Sequence, residues 1–415
     1  MHPRRLTQAR AFASLDVRSF RRFFLSQVVS VSGSSMQTIG QAWLILTLHG
    51  TGVDLGGAIS AQLLPSLLLG PYGGLIADRY NKRHLLLATQ ASAALSALLL
   101  AILTASGAVR LWMVFGLAFL LGCINAVDNP VRQVFALDLV PRHLVSNAVS
   151  LNEVVFNASR VVGPALGALL VAQLGVASCF FVNAASFSLP MLAVASVHPD
   201  KSAHAPVVPQ GSGQLREGLR YAWSTPILRH LLLMAAAAAM IFNFTVSLPM
   251  MAKSELHVGV GGFGSMVTAF GVGAIGGALL AACERDPRGR LVRTLALLSG
   301  LVVVAAAVMP TLGSELVVMV VLGAFSIWFV SLANAIVQLR TIGPLRGRLM
   351  GLWSMALPGS LVLSGPLVGW ISLQLGPRAA LASGGIAVLA ATAIGWRALA
   401  ADDVPFTTLP GAHAL

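Results

Sequence analysis

An apolar run long enough to cross a bilayer recurs twelve times along this chain, and the breaks between runs carry most of its charge. Each run holds roughly 18 to 27 residues, and a helix of about 20 spans a hydrocarbon core about 30 Å thick. The runs fall near 21–47, 52–77, 85–104, 111–132, 145–172, 175–197, 228–252, 260–283, 293–310, 314–338, 347–373 and 378–397. Charged residues make up 10% of the 415, where a soluble domain carries about 25%. Strand-like alternation is absent, which removes the membrane β-barrel. The expected fold is all-α, with twelve transmembrane helices in two pseudo-symmetric six-helix bundles.

The net charge of +13 would suggest nucleic acid in a soluble chain, but here the bases lie between apolar runs rather than on one patch. If both termini lie in the cytoplasm, 23 of the 27 lysines and arginines fall on the inner side; Arg110, Lys253 and Arg378 are outer and Arg160 lies within a span. That asymmetry predicts a multi-pass protein of a bacterial cytoplasmic membrane with both termini inside. Six arginines up to Arg22 precede a first run too long for a signal-peptide core, so it reads as a retained helix. Cys123, Cys179 and Cys283 show no paired spacing and read as small core residues, with no metal or cofactor implied.

The one long polar interruption, 199–226, is rich in Pro, Ser, Gly and Gln and divides the spans six and six. The expected organisation is a cytoplasmic segment 1–20, a first bundle 21–198, a linker 199–226 with a short surface helix near 214–223, a second bundle 227–398 and a tail 399–415. The halves share a weak repeat. Gly73-Gly74 recurs as Gly276-Gly277 after 203 residues, and Gly163-Pro164-x-x-Gly167 recurs as Gly365-Pro366-x-x-Gly369 after 202. Two agreeing offsets indicate duplication, and the small residues suit close helix packing.

After the second span the chain reads Gly74-Leu-Ile-Ala-Asp78-Arg79-Tyr-Asn-Lys82-Arg83. This resembles the signature loop of the major facilitator superfamily. The resemblance implies that Asp78 caps the start of the eleventh span, while Arg79, Lys82 or Arg83 pairs with an acid near the fourth span, Asp128 or Asp138. Together with Arg132 these form a conformational latch. A plain positive-inside turn is the alternative. In the second half no acid follows Gly277 until Glu284, so the latch is one-sided. A longer stretch, from Asp128-Asn129-Pro130-Val-Arg132 through Asn147, Asn152 and Asn157 to Gly163-Pro164, is similar to the branch that contains enterobactin exporters and macrolide efflux proteins. Gly163-Pro164 also resembles the fifth-span motif of antiporters, with Ser159 where that motif has an upstream glycine.

Gln27, Ser30, Ser34, Gln37 and Gln41 recur at intervals of 3, 4, 3 and 4, forming one polar stripe about 21 Å long at 1.5 Å per residue. It either lines a water-filled substrate cavity or cements neighbouring helices. Asn157, Asn243, Ser247, Ser331, Asn334 and Gln338 are further cavity candidates, and Phe156, Trp328 and Trp353 could supply apolar surface or simply pack. The interior ionisable residues singled out are Asp128, Arg132, Glu153 and Arg160. Glu153, Asn157 and Arg160 share a face, so Glu153 is the candidate proton-coupling acid, with Asp128 in reserve; a structural ion pair is the alternative reading. Gly271-Val-Gly273-Ala-Ile-Gly276 matches a dinucleotide fingerprint but lies in an apolar span with no preceding strand, so it reads as helix packing.

These features point to a secondary active transporter, not an enzyme, that exports small amphipathic molecules of drug or siderophore type by alternating access. Its expected partners are that substrate, membrane lipid and protons or another coupling ion, with the protein acting as a monomer. A nutrient importer or lysophospholipid flippase of the same fold is the alternative within transport; a membrane-embedded enzyme or sensor is the alternative outside it.

Overall fold

A computed structural model describes residues 12–196, 220–284, 287–341 and 343–400. Among the described residues the chain is helical with no strand. The helices are α1 (Arg18–Thr47), α2 (Gly52–Arg79), α3 (Lys82–Ala105), α4 (Leu111–Asp138), α5 (Val145–Leu174), α6 (Val176–Ser186) and α7 (Ser188–Ser196). They continue as α8 (Pro226–Phe242), α9 (Phe244–Ser254), α10 (Gly259–Cys283), α11 (Gly289–Ala306), α12 (Leu312–Arg340), α13 (Gly343–Leu375), α14 (Pro377–Ile394) and α15 (Trp396–Ala400).

Among the described residues ten segments are long and apolar enough to span a membrane, counting α6 with α7 and α8 with α9 as one each. The other two of the twelve expected are α1 and α5, each helical over 30 residues. In α1 the polar stripe itself dilutes the apolar signal. Two expected spans are split by a side chain that competes for backbone partners. Between α8 and α9, the Asn243 amide donates to the Ala239 carbonyl at 3.2 Å. Between α6 and α7, Ser186 Oγ donates to the Asn183 carbonyl at 2.7 Å. The ninth span, expected at 293–310, is the helix Gly289–Ala306. Its end lies four residues earlier because the chain turns at 307–308 ahead of Pro310, where a helix is disfavoured. Of the expected linker helix, only its last part lies within the described residues, where 220–224 are helical.

The chain forms two compact units, Met1–Leu48 with Leu64–Val208, and His49–Leu63 with Pro209–Leu415. The boundary passes through α2, whose first turns belong to the second unit.

In unit 1, α1 packs on α5, α6 and α7, and α3 packs on α4, α6 and α7. The α1–α5 contact is close because α5 presents glycines there. A Cβ on Gly163 would stand 2.3 Å from Ser35 Cβ, and one on Gly167 would stand 3.0 Å from Met36 Cα. Nearer the chain start, Phe20, Phe23, Leu86, Val131, Phe135, Leu151 and Val194 form a buried apolar cluster. Phe23 meets Phe135 edge-on at 5.4 Å. The segment before α1 is tied down by Ser14, whose Oγ and N donate to Asn147 Oδ1 at 2.6 and 2.9 Å.

In unit 2, α12 packs on α10 and α11, α14 packs on α8 and α11, and α8 packs on α13. Gly273 of the dinucleotide-like run and Gly277 just after it serve the first of these contacts. A Cβ on Gly273 would meet Val320 O at 1.8 Å, and one on Gly277 would meet Ala324 O at 2.1 Å. Gly365 and Gly369 pack against the start of α2: a Cβ on Gly369 would stand 2.1 Å from Gly52 O, and one on Gly56 would stand 2.1 Å from Gly365 O. Ser60 Oγ adds a hydrogen bond to Val362 O at 2.6 Å. The two copies of the Gly-Pro-x-x-Gly repeat therefore face non-equivalent helices, α1 in unit 1 and α2 in unit 2.

Candidate functional site

The polar chemistry of unit 1 converges on α4. Asp128 is 4% exposed, and its Oδ1 accepts hydrogen bonds from Thr89 Oγ1 at 2.7 Å and Gln90 Nε2 at 2.8 Å, both on α3. Its Oδ2 lies 3.7 Å from Arg132 Nε, one helical turn on. Arg132 in turn donates to Asn129 Oδ1 at 2.6 Å and reaches Gln27 Oε1 on α1 at 3.4 Å. A buried carboxylate is tolerated where it is paired and its lone pairs are used, and here three helices contribute to that pairing. The network lies beside the Phe23–Phe135 cluster, which shares α4 with it, so its geometry is held by packing.

The signature loop is anchored separately. Lys82 Nζ at the start of α3 stands 2.7 Å from Asp138 Oδ2 at the end of α4. Of the two candidate acids, Asp138 is thus the one that meets this loop, while Asp128 is occupied within the network. Arg83 donates to the Ala195 carbonyl at the end of α7. Arg79 is exposed. Gly74 and Asp78 lie on α2, and their surroundings fall outside the described residues, as do the side chains of Glu153, Phe156, Asn157 and Arg160 on α5.

The α1 stripe divides by environment. Gln27, Ser30 and Gln37 are buried, Gln41 is half-buried and Ser34 is exposed. Gln37 Oε1 accepts from Asn183 Nδ2 at 2.6 Å, so this amide, like Gln27, joins helices within unit 1. A regular spacing identified the face but not which of its members another polar side chain occupies.

In unit 2, Asn243 is fully buried and its Nδ2 donates to Ser364 Oγ on α13 at 2.6 Å, leaving Oδ1 without a partner among the described residues. Ser247 is likewise buried, its hydroxyl unpartnered among the described residues. On α12, Ser331 and Asn334 are half-buried and Gln338 is exposed; Gln338 donates to Asn334 at 3.4 Å. The indole N–H of Trp328 is buried without a partner among the described residues, and Trp353 on α13 is half-buried. Unused donors and acceptors of this kind in an apolar bundle are what a polar ligand group would satisfy.

Sequence reasoning passed over Glu315. It is fully buried in the first turn of α12, and neither carboxylate oxygen has a hydrogen-bond partner among the described residues. The available signal was an acid just inside an apolar run. It follows Thr311 and Ser314, which form a capping box, so an acid there is also ordinary helix-start chemistry.

A family model described as transmembrane secretion effector, of the major facilitator type, matches residues 9–404. The chain is a member of this family. Among family relatives, the multidrug efflux pump Tap of Mycobacterium tuberculosis is 27% identical over 361 residues, covering 82% of this chain and 84% of Tap. The enterobactin exporter EntS of Shigella flexneri is 22% identical over 380 residues, covering 89% of each. The staphyloferrin A transporter of Staphylococcus aureus is 32% identical over 177 residues, covering 42% of this chain and 45% of that protein. For this relative and for the MFS-type transporter YfiS of Bacillus subtilis, the match spans about half the length of the curated protein. The solved nucleoside transporter NupG superposes with a TM-score of 0.71 at 12% identity, covering 94% of this chain and all of NupG, a likeness of fold. The chain thus belongs to the major facilitator superfamily.

Proposed function

We propose that this transporter exports small amphipathic molecules, of drug or siderophore type, across a bacterial cytoplasmic membrane. The observation that carries the reading is similarity over more than four fifths of both chains to a multidrug efflux pump, together with the enterobactin exporter over 89% of each. The side chains agree in chemistry. The candidate ligand-facing groups are amide, hydroxyl and indole (Asn243, Ser247, Ser331, Asn334, Gln338, Trp328), which suits cargo with dispersed polar groups on an apolar body rather than a sugar phosphate.

Export proceeds by alternating access, with a binding surface opening in turn to each side of the membrane, and an ion gradient supplies the energy. Both termini lie in the cytoplasm, following the basic residues. Lys82, Asp138 and the Asp78-Arg79 pair form a latch that biases one conformation. Glu153, sharing a helical face with Asn157 and Arg160, carries the coupling proton, with Asp128 in reserve. Glu153→Gln keeps shape but cannot cycle a proton, so it should abolish gradient-driven export while retaining substrate binding and downhill exchange.

Accumulation of dyes, macrolides, tetracyclines and siderophores in efflux-deficient cells, with and without the gene, tests the reading. Lower accumulation of at least one class with the gene is expected. Equal accumulation of every class at confirmed expression would overturn it.

A further inference from the structure

Glu315 has a setting that the transport reading leaves unused. The residue is 0% exposed and both its oxygens lack partners among the described residues. An ionised carboxylate so enclosed is costly, whereas the neutral acid is tolerable. Charge near it is sparse. α12 packs on α8, α10, α11 and α13. The sequence of α10 holds no ionisable residue other than the terminal Cys283, while Arg229 and His230 of α8, Arg290 and Arg293 of α11, and Arg346 and Arg348 of α13 lie at the opposite ends of their helices. Arg340, the other charge on α12, is 25 residues away, about 37 Å along a helix.

Arg378, in the first turn of α14, is the arginine at this end of unit 2. Arg378 is engaged elsewhere: its Nε donates to Glu255 Oε2 at 2.9 Å and its Nη1 to the Ala307 carbonyl at 3.2 Å. The Arg378 and Glu255 side chains are about one-third exposed, so solvent competes for the pair. Lys253, His257, His49 and Asp54 are the other ionisable residues at this end of unit 2. It is the end that the basic-residue distribution assigns to the outside.

We propose that Glu315 is a proton-binding site of the second half, and that Arg378, exchanging between Glu255 and Glu315, controls its loading. While Arg378 is held by Glu255 and Ala307, as in this structure, Glu315 carries its proton. When the guanidinium turns toward Glu315, the acid releases that proton to outer water and the carboxylate takes the arginine as counter-ion. The proton is the only species transferred, and the Glu315 carboxylate is the atom group that holds it. The assignment rests on the reading of the chain as an ion-driven transporter, and it adds to Glu153 rather than replacing it.

The test is infrared difference spectroscopy of the full chain in proteoliposomes across a pH series, reading the carbonyl stretch of a protonated carboxylic acid. The wild type should show an acid band lost as pH rises. Glu315→Gln should lack it, Glu315→Asp should show it displaced in frequency, and Glu153→Gln should retain it. Arg378→Gln should move the pH of its loss by about one unit or more. An undiminished band in monodisperse Glu315→Gln, or one that follows sodium rather than pH, would overturn the site. Should Glu315→Gln fail to fold, an undisplaced band in Glu315→Asp would do the same. Ethidium movement under an imposed pH gradient separates the two readings. If the wild type moves no ethidium while the band behaves as described, the transport reading fails for this probe and the proton site stands. Wild-type uphill movement by Glu315→Gln would overturn its part in coupling.

Discussion

Lys82 and Asp138 are brought together at 2.7 Å from opposite ends of a 56-residue separation, joining the loop after α2 to the last residue of α4. Both side chains are more than four fifths buried, so the pair is shielded better than a surface ion pair but is not sealed from water. Removing one partner, in Lys82→Met or Asp138→Asn, should cost the conformation that contains the pair about 1 to 2 kcal/mol, a shift of roughly 5- to 30-fold in its equilibrium. Export should fall while membrane insertion is unchanged, because topology follows the sum of the basic residues. Asp78→Asn should act in the same direction. Loss of protein from the membrane fraction in all three variants would contradict a latch.

Asp128 should be intolerant in a graded way. Asp128→Ala takes the acceptor from Thr89 and Gln90 and the carboxylate from beside Arg132, and is expected to cost about 3 to 5 kcal/mol. Asp128→Asn, which keeps the shape and some of the hydrogen bonding, should cost distinctly less. Thermal unfolding of the purified protein in detergent, read by tryptophan fluorescence, gives the order. Equal losses for the two variants would show that the carboxylate charge does not hold the network.

Adjacent glycines on α10 supply an internal control. A Cβ at Gly277 would approach the Ala324 carbonyl oxygen at 2.1 Å, while one at Gly276 meets nothing within 4 Å. Gly277→Ala should therefore destabilise by about 1 to 3 kcal/mol, the usual cost of overpacking. Gly276→Ala should be neutral or slightly stabilising, since it removes backbone freedom from the unfolded chain. Gly56→Ala, 2.1 Å from Gly365 O, should resemble Gly277→Ala. Comparable thermal shifts for both α10 substitutions would refute the packing argument.

Reporter fusions check the proposed topology. Fusions at Gly107 and Thr311 should report the outer side, and those at Ser212 and Leu415 the cytoplasm. A fusion at Ser212 that reports outside would contradict it, because that residue stands between the two sets of six spans.

The helices were legible because membrane burial writes itself into long apolar runs, and most ends fall within a few residues of the expected ones. The helix breaks at Phe187 and at Asn243 were not legible, since a hydropathy window does not register one side chain bonding back to the backbone. The spacing of Gln27, Ser30 and Gln37 identified a face of α1. What lies opposite each residue depends on tertiary pairing, here Arg132 for Gln27 and Asn183 for Gln37. The Gly-Pro-x-x-Gly repeat showed that both copies pack closely, yet not that the second meets Gly52 and Gly56. A carboxylate at a helix start such as Glu315 has an ordinary explanation in capping, and its burial is a three-dimensional fact.

Direction of transport is the central claim, and ethidium movement in everted membrane vesicles tests it most directly. With respiration acidifying the interior, vesicles containing this chain should accumulate ethidium above vesicles without it, and a protonophore should release the excess. Accumulation confined to right-side-out vesicles, or excess uptake in everted vesicles that survives the protonophore, would contradict proton-driven export.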